Sequence, residues 1–364
     1  MPADNAAPEV TINLLIERAM EAKASDIHLT PGRPPILRVY GDLRTLDDLP
    51  MLLPENTLAL AQQMTDPNQW ERFLQSRELD CSLSRHRMTR FRVNLCWQRG
   101  SVAIAMRAIP HEIPTFEQLG LPVVLKNFAV KDRGLFLVTG PTGSGKSTTL
   151  AAMIDHINAT RSCHIVTIED PIEYLHRHKK SIVNQREMHY DTLSFHEALR
   201  HVLRQDPNVI LIGELRDLET IEIALTLAET GHLVLATLHT GDTSQAITRI
   251  IDVYPPHQQS QARTQLSLVL VGIMAQQLIR RRDGTGRVMA CEIMSQTPAI
   301  AHMIRSGEVP QMYSAIQTGA ADGMVTLNAS LLNLFRANMI SREDALHKST
   351  RQKELLEQLN PYSR

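Results

Sequence analysis

Residues 140–147 read Gly-Pro-Thr-Gly-Ser-Gly-Lys-Ser, and this octet limits the local fold to very few solutions. It fills every fixed position of the G-x-x-x-x-G-K-S phosphate loop. The apolar run Leu135-Phe136-Leu137-Val138 leads in, and Thr148-Thr149-Leu150-Ala151-Ala152-Met153-Ile154 leads out as a good helix former. A strand is therefore expected to end at the first glycine and a helix to begin near Lys146. Three glycines leave backbone N–H groups open to a β-phosphate where any Cβ would obstruct it. The helix N-terminus adds unsatisfied donors for the same anion. Gly140, Pro141, Thr142, Gly143, Ser144, Gly145, Lys146, Ser147 and Thr148 are the expected nucleotide cradle. Lys146 would reach the β- and γ-phosphates of ATP, and the Ser147 hydroxyl would ligate Mg²⁺. A glycine-rich turn holding no ligand is the alternative; a complete motif between strand and helix disfavours it.

Around the loop, apolar strands alternate with amphipathic helices from residue 121 onward. That pattern predicts a mostly parallel sheet covered on both faces. Leu135–Thr139, Ile165–Ile168, Val209–Ile212 and Leu233–Leu238 are the expected strands, and 146–158, 194–205 and 217–229 the crossover helices. The segments that follow these strands should converge on the phosphate loop. Earlier, residues 11–24 carry Ile12, Leu15, Ile16, Ala19 and Met20 at helical spacing. Strand-like runs follow at 27–29, 36–40, 91–95 and 102–106. A helical stretch over 55–75 has Leu58, Ala61, Met64, Phe73 and Leu74 as expected core positions. Pro110, Pro114 and Pro122 punctuate a connection, and helices return at 299–305, 327–338 and 342–359. The expected organisation is a small α+β domain over 1–109, a linker over 110–120, an α/β nucleotide core over 121–295 and a helical region over 296–364.

A formal net charge of -1 and an aromatic content of 4% do not suit a chain that grips nucleic acid through a basic face. No apolar run approaches the roughly 18–20 residues needed to cross a bilayer. Residues 1–10 lack the basic start and apolar stretch of a secretory signal. Cys81, Cys96, Cys163 and Cys291 form no C-x-x-C pair. Neither a zinc site nor a disulfide framework is expected, and a reduced, cytoplasmic setting fits.

Three segments that follow strands carry the remaining chemistry: Glu169-Asp170-Pro171-Ile172-Glu173, Gly213-Glu214-Leu215-Arg216-Asp217 and His239-Thr240-Gly241-Asp242. Hydrolysis of ATP needs metal at the phosphates, a carboxylate for water and a sensor of the γ-phosphate. Glu214 ends a buried strand, where an unpaired carboxylate is costly, so it is expected to face metal or water. Glu173 reads equally well as a catalytic or a solvated carboxylate. Asp170 reads as a turn former before Pro171, and a lone His239 is more often structure than chemistry.

Jointly and in this order, several segments resemble the secretion ATPase superfamily, and within it the PilT-type ATPases, the retraction motors of type IV pili. They are the phosphate loop, the acidic box Ile168-Glu169-Asp170-Pro171-Ile172-Glu173, the run Gly213 to Asp217, and Leu235-Ala236-Thr237-Leu238-His239-Thr240. Ala24-Ser25-Asp26-Ile27-His28-Leu29 resembles the family's N-terminal signature. Thr297-Pro298-Ala299-Ile300 to Ile304-Arg305 resembles its C-terminal helix motif, and Ile340-Ser341-Arg342-Glu343-Asp344-Ala345 the end of its pattern. The resemblance covers nearly the whole chain. It implies a PAS-like N-terminal domain, a RecA-like P-loop core and a C-terminal helical region. It implies a homo-hexamer that hydrolyses ATP with Mg²⁺ and acts on an inner-membrane pilus platform protein (PilC-like), beside other pilus ATPases. Nucleic acid is not an implied partner, and the membrane is reached only through partners.

The resemblance also assigns roles. Glu173 becomes the water-activating residue, and Glu214 the Walker B carboxylate that acts on Mg²⁺ through water beside Ser147. His232 and His239 become a histidine pair that senses the nucleotide. Arg92 and Arg107, from the group Arg90, Arg92, Arg99 and Arg107, become residues that reach a neighbouring subunit's γ-phosphate. Surface arginines on edge strands are the alternative.

Three departures stand out. Gly213 occupies the position where the family usually has Asp. The four-cysteine insert of extension-type relatives is missing, which favours retraction. The family's Ala-Ile-Arg-Asn-Leu-Ile-Arg-Glu is here Ala299-Ile300-Ala301-His302-Met303-Ile304-Arg305-Ser306, which opens an accessory paralogue as an alternative. An assembly or transport ATPase of another secretion or conjugation system, a nucleic-acid motor on the same core, and a nucleotide-binding scaffold without turnover are the other rivals.

Overall fold

Leu135 and Leu137 feed one apolar layer, while their neighbours Phe136 and Val138 feed another. A strand of period two that is apolar at every position buries both faces, and the sheet that carries the phosphate loop is built on that fact. The structure is a computed structural model. It describes residues 10–39, 41–85, 89–109 and 112–359, with side chains 85 and 89 excepted. Two compact units emerge, Met1–His111 and Glu112–Arg364. Tyr40, Pro110 and residues 1–9 fall outside the described residues.

The first unit runs α1 (Ile12–Glu21), β1 (Asp26–Leu29), β2 (Ile36–Val39), β3 (Asp42–Thr45), α2 (Pro54–Met64), α3 (Pro67–Ser76), β4 (Glu78–Arg85), β5 (Thr89–Gln98) and β6 (Ser101–Ile109). One antiparallel sheet, ordered β3-β2-β1-β6-β5-β4, packs against the helices. The single helical stretch expected over 55–75 is two helices. Asp66 caps α3 by accepting from the backbone N–H groups of Asn68 and Gln69, both at 2.9 Å, and Pro67 cannot continue the preceding helix. Leu58 and Leu74 face outward, contrary to expectation. The buried stripe of α2 runs instead through Thr57, Leu60, Ala61 and Met64, which is the i, i+3, i+4, i+7 spacing.

The second unit runs α4 (Phe116–Leu119), α5 (Val124–Ala129), β7 (Gly134–Thr139), α6 (Lys146–Thr160), β8 (His164–Glu169), β9 (Ile182–Glu187), α7 (Phe195–Val202), β10 (Val209–Ile212), α8 (Leu218–Glu229), β11 (Leu233–Leu238), α9 (Thr243–Asp252), α10 (Gln259–Val269), β12 (Leu270–Arg280), β13 (Arg287–Ser295), α11 (Pro298–Ser306), α12 (Met312–Thr318), α13 (Leu327–Arg336), α14 (Arg342–Lys348) and α15 (Gln352–Leu359). The sheet order is β13-β12-β7-β11-β10-β8-β9. All neighbours are parallel except β13, which runs antiparallel to β12. The helix expected over 342–359 breaks at Ser349, whose hydroxyl donates to Asn328 Oδ1 at 2.6 Å. The C-terminal helices belong to the same compact unit as the sheet. Among the described residues no helix is long and apolar enough to cross a membrane.

Candidate active site

Parallel order brings the C-terminal ends of β7, β11, β10 and β8 to one edge of the sheet. The phosphate loop leaves β7 there. Gly140 sits at φ 145 and Gly145 at φ 90, backbone conformations that side-chain-bearing residues avoid. A Cβ on Gly140 would run into the Gln276 backbone carbonyl, and one on Gly145 would come within 3.2 Å of Gln276 Nε2. Helix α6 starts at Lys146 with no side chain capping it, so its first N–H groups stay available to an anion. The buried Ser144 hydroxyl finds no hydrogen-bond partner among the described residues. Uncapped N–H groups, an orphaned hydroxyl and a glycine cradle fit a phosphate chain.

Lys146 is buried, and its Nζ donates to the carbonyl oxygens of Gly140 at 2.8 Å and Pro141 at 3.2 Å. Burial lowers its pKa from the ordinary lysine value, and the Glu214 carboxylate opposes that shift. From β12, Gln276 enters beneath the loop. Its Nε2 donates to the Ser144 carbonyl at 2.7 Å, and its Oε1 accepts from the Thr149 hydroxyl at 2.9 Å.

Glu214 lies two residues beyond β10. Arg216 Nε donates to its Oε2 at 2.8 Å, and His239 Nε2, just past β11, lies 3.3 Å from its Oε1. Arg216 also approaches Asp170 Oδ2 at 3.9 Å, and the Glu214 hydrogen bond raises the arginine's pKa. The adjacent strand end explains Gly213. A Cβ there would stand 3.3 Å from both Glu169 Cα and the Ile168 carbonyl, leaving little room for an aspartate.

The acidic loop after β8 is held by β9. Gln185 Nε2 donates to the Tyr174 carbonyl, and Gln185 Oε1 accepts from the His176 N–H, both at 2.8 Å. Glu187 Oε2 accepts from Ile172 N at 3.1 Å. This leaves Glu173 exposed and Glu169 buried. Burial pushes the Glu169 carboxyl up to about 7, against hydrogen bonds from Thr167 and Gln185 that lower it. Ser147, Glu169, Glu173, Gly213 and Thr237 line a cavity of about 30 Å³, which is water-sized. A larger cavity, about 600 Å³, lies at the opposite end of the sheet beside Gly134 and Val271. Its size does not mark the chemistry, because phosphate loops bind through exposed backbone N–H groups.

The structure thus brings Lys146, Ser147, Glu173, Glu214 and His239 to one sheet edge. His232 lies at the other end of β11. It precedes β11 where His239 follows it, about 20 Å away along the strand. Its Nδ1 lies 3.0 Å from the Leu227 carbonyl at the end of α8. Arg92 and Arg107 belong to the first unit, directly opposite one another on β5 and β6, and Arg107 Nε donates to Asp26 Oδ1 at 2.8 Å. Gln276 and Gln185 carry no role in the sequence reading, and Glu169 enters it only as a member of the acidic box. The polar pair Gln276-Gln277 inside an apolar run was the one signal for the first of them.

A phosphate loop after an inner strand of a parallel sheet, with carboxylates and an imidazole at neighbouring strand ends, defines a RecA-like P-loop ATPase. The family model for type II/IV secretion system proteins matches residues 2–352. The type IV pilus retraction ATPase PilT of Pseudomonas aeruginosa is 49% identical over 338 residues, covering 93% of this chain and 98% of that protein. A twitching motility protein of Neisseria gonorrhoeae is 44% identical, with 86% of this chain and 84% of that one covered. The crystal structure of the pilus retraction motor PilT with bound ADP superposes with a TM-score of 0.90 at 48% identity, covering 96% of this chain and 100% of that chain. The chain belongs to the type II/IV secretion ATPase family, on its PilT-type branch, and is an ATP hydrolase.

Proposed function

We propose that this chain is the subunit of a homo-hexameric motor that couples ATP hydrolysis to type IV pilus retraction. The observation that carries this reading is the Glu214–His239 contact at the edge where the phosphate loop lies, in a chain that matches a retraction ATPase over nearly its full length. Loop N–H groups and Lys146 bind the phosphates. Glu173 takes the proton of the attacking water as its oxygen bonds to the γ-phosphorus, and the bond to the ADP oxygen breaks. Mg²⁺, when bound with ATP, would be held by the Ser147 hydroxyl and, through water, by Glu214. These hard oxygen donors suit an ion that keeps most of its own waters, and it would neutralise phosphate charge. Arg92 and Arg107 of a neighbouring copy meet the γ-phosphate. Hydrolysis removes that contact, His239 reports the change to β11, and the interface reopens.

The proposed setting is cytoplasmic, at the inner membrane through a pilus platform protein. The experiment is fibre retraction in cells lacking the gene. Retraction should stop, return with the parent protein and stay absent with Glu214→Gln. Normal retraction with failed protein export or conjugation would assign the engine to another machine. The reading as an accessory paralogue draws on α11. Of its departures, His302 and Ser306 lie on the exposed face and alter what a partner meets, whereas Ala301, where the family has the arginine that is lost here, is buried beside Ile300 and Ile304.

A further inference from the structure

The phosphate loop needs something to hold it. Pro141, Thr142 and Gly143 are exposed, and glycines at positive φ lose more conformational freedom on ordering than other residues. Among the described residues nothing lies within 4 Å of a Cβ built on Gly143. Lys146 holds the Gly140 and Pro141 carbonyls from within the loop, and Gln276 supports it from the neighbouring strand. In the parallel pairing of β12 with β7, Ala275 stands opposite Thr139, so Gln276 is the next residue, level with Gly140.

Gln276 is 1% exposed. Its backbone carbonyl occupies the space a Cβ on Gly140 would need, and its amide lies against Gly145. Its two amide atoms join the loop to the first turns of α6. The N–H side donates to the Ser144 carbonyl, and the oxygen accepts from the Thr149 hydroxyl. An apolar residue of similar length would fill the same volume at lower desolvation cost, so the amide's value lies in these two bonds. They fix the register of Ser144 against the helix, and with it the direction of the N–H groups that face the β-phosphate.

We propose that Gln276 is a positioning residue for the phosphate loop, setting nucleotide affinity through Ser144 and Thr149. The proposal rests on reading residues 140–148 as the nucleotide site. Gln276 touches no phosphate itself; it acts through the loop that does. Removing the bridge lets the loop sample orientations that bind poorly, which weakens ground-state and transition-state binding alike. The signature is a raised KM at nearly constant kcat.

The test uses the full-length protein, ADP titration, and ATP KM and kcat, with thermal melting beside them. Gln276→Met keeps length and loses both bonds. Its ADP Kd and ATP KM should rise about tenfold, with kcat within about threefold of the parent. Thr149→Val should raise both constants by a smaller factor, and Thr149→Ser, which keeps the hydroxyl, should bind like the parent. Lys146→Ala separates the two readings. If it abolishes ADP binding while Gln276→Met and Thr149→Val bind like the parent, the positioning role is overturned and the nucleotide site stands. If Lys146→Ala also binds ADP normally, both are overturned. A fall in kcat at unchanged KM in the Gln276 and Thr149 variants would overturn the proposal as well. Should Gln276→Met fail to fold, the Thr149 pair decides.

Discussion

His239 Nε2 lies 3.3 Å from Glu214 Oε1, while Arg216 Nε holds the other carboxylate oxygen at 2.8 Å. Each partner comes from a different place: Glu214 from the loop after β10, His239 from the end of β11. Parallel pairing of those strands, with Ile212 opposite Ala236, is what brings them together. The carboxylate is therefore aimed from both sides. Removing the imidazole should misdirect it without touching the phosphate loop. His239→Ala is expected to lower kcat by about 10–100-fold, the usual cost of losing a group that orients a ligand-directed side chain, with KM for ATP within about threefold. A parent-like kcat would detach His239 from turnover.

Glu169 makes stability depend on pH in a particular direction. Its ordinary value is 4.5 and burial raises it to about 7 in the folded protein. Between those values the folded state holds a proton that the unfolded chain has lost, so unfolding releases it and stability falls as pH rises. The contribution is complete below 4.5 and is lost as pH climbs through about 7, at up to about 1.4 kcal/mol per pH unit. Glu169→Gln replaces the neutral acid with a neutral amide. Its melting temperature should decline less than the parent's between pH 5 and pH 8; parallel curves would refute the assignment.

Arg38, Asp26, Arg107 and Arg92 form a row across β2, β1, β6 and β5. Arg107 Nε is 2.8 Å and Arg38 Nε 3.7 Å from the Asp26 carboxylate, so one negative charge serves two arginines. Arg92 adds a further positive charge directly opposite Arg107, a placement that is unfavourable in an isolated sheet and that the proposed γ-phosphate contact would offset. Arg92→Ala should cut turnover by about 10³-fold, as loss of an arginine finger does, at unchanged melting temperature. Arg107→Ala should lower both turnover and melting temperature, since it also uncovers Asp26. Parent-like turnover in both variants would remove these arginines from the mechanism.

The strands flanking the site were legible because a strand buried on both faces reads as a near-continuous apolar run, as in residues 135–138 of β7, in β10, and in β8 and β11 apart from the polar residues they carry, such as Thr167 and Thr237. Strand β9 was not, since Asn184, Gln185 and Arg186 interrupt it on a partly exposed edge. Strand β12 was not, because it leaves α10 without a turn, Val269 ending one and Leu270 starting the other. The site followed the same division. Glu214 and His239 could be placed because each closely follows a readable strand. Gln276 could not, because its role comes from meeting Thr149, 127 residues earlier in the chain. His232 was grouped with His239 by motif, although counting along Leu233–Leu238 separates them to opposite ends of one strand.

Glu214 is the residue whose loss should stop turnover without releasing nucleotide. Steady-state ATP hydrolysis, with mass by light scattering on the same samples, should be measured for the parent and for Glu214→Gln. The account predicts that both form the same assembly, larger than a monomer, that the parent hydrolyses ATP, and that Glu214→Gln loses turnover by at least about 100-fold while still binding ADP. An assembled Glu214→Gln variant that hydrolyses ATP at the parent's rate would contradict it.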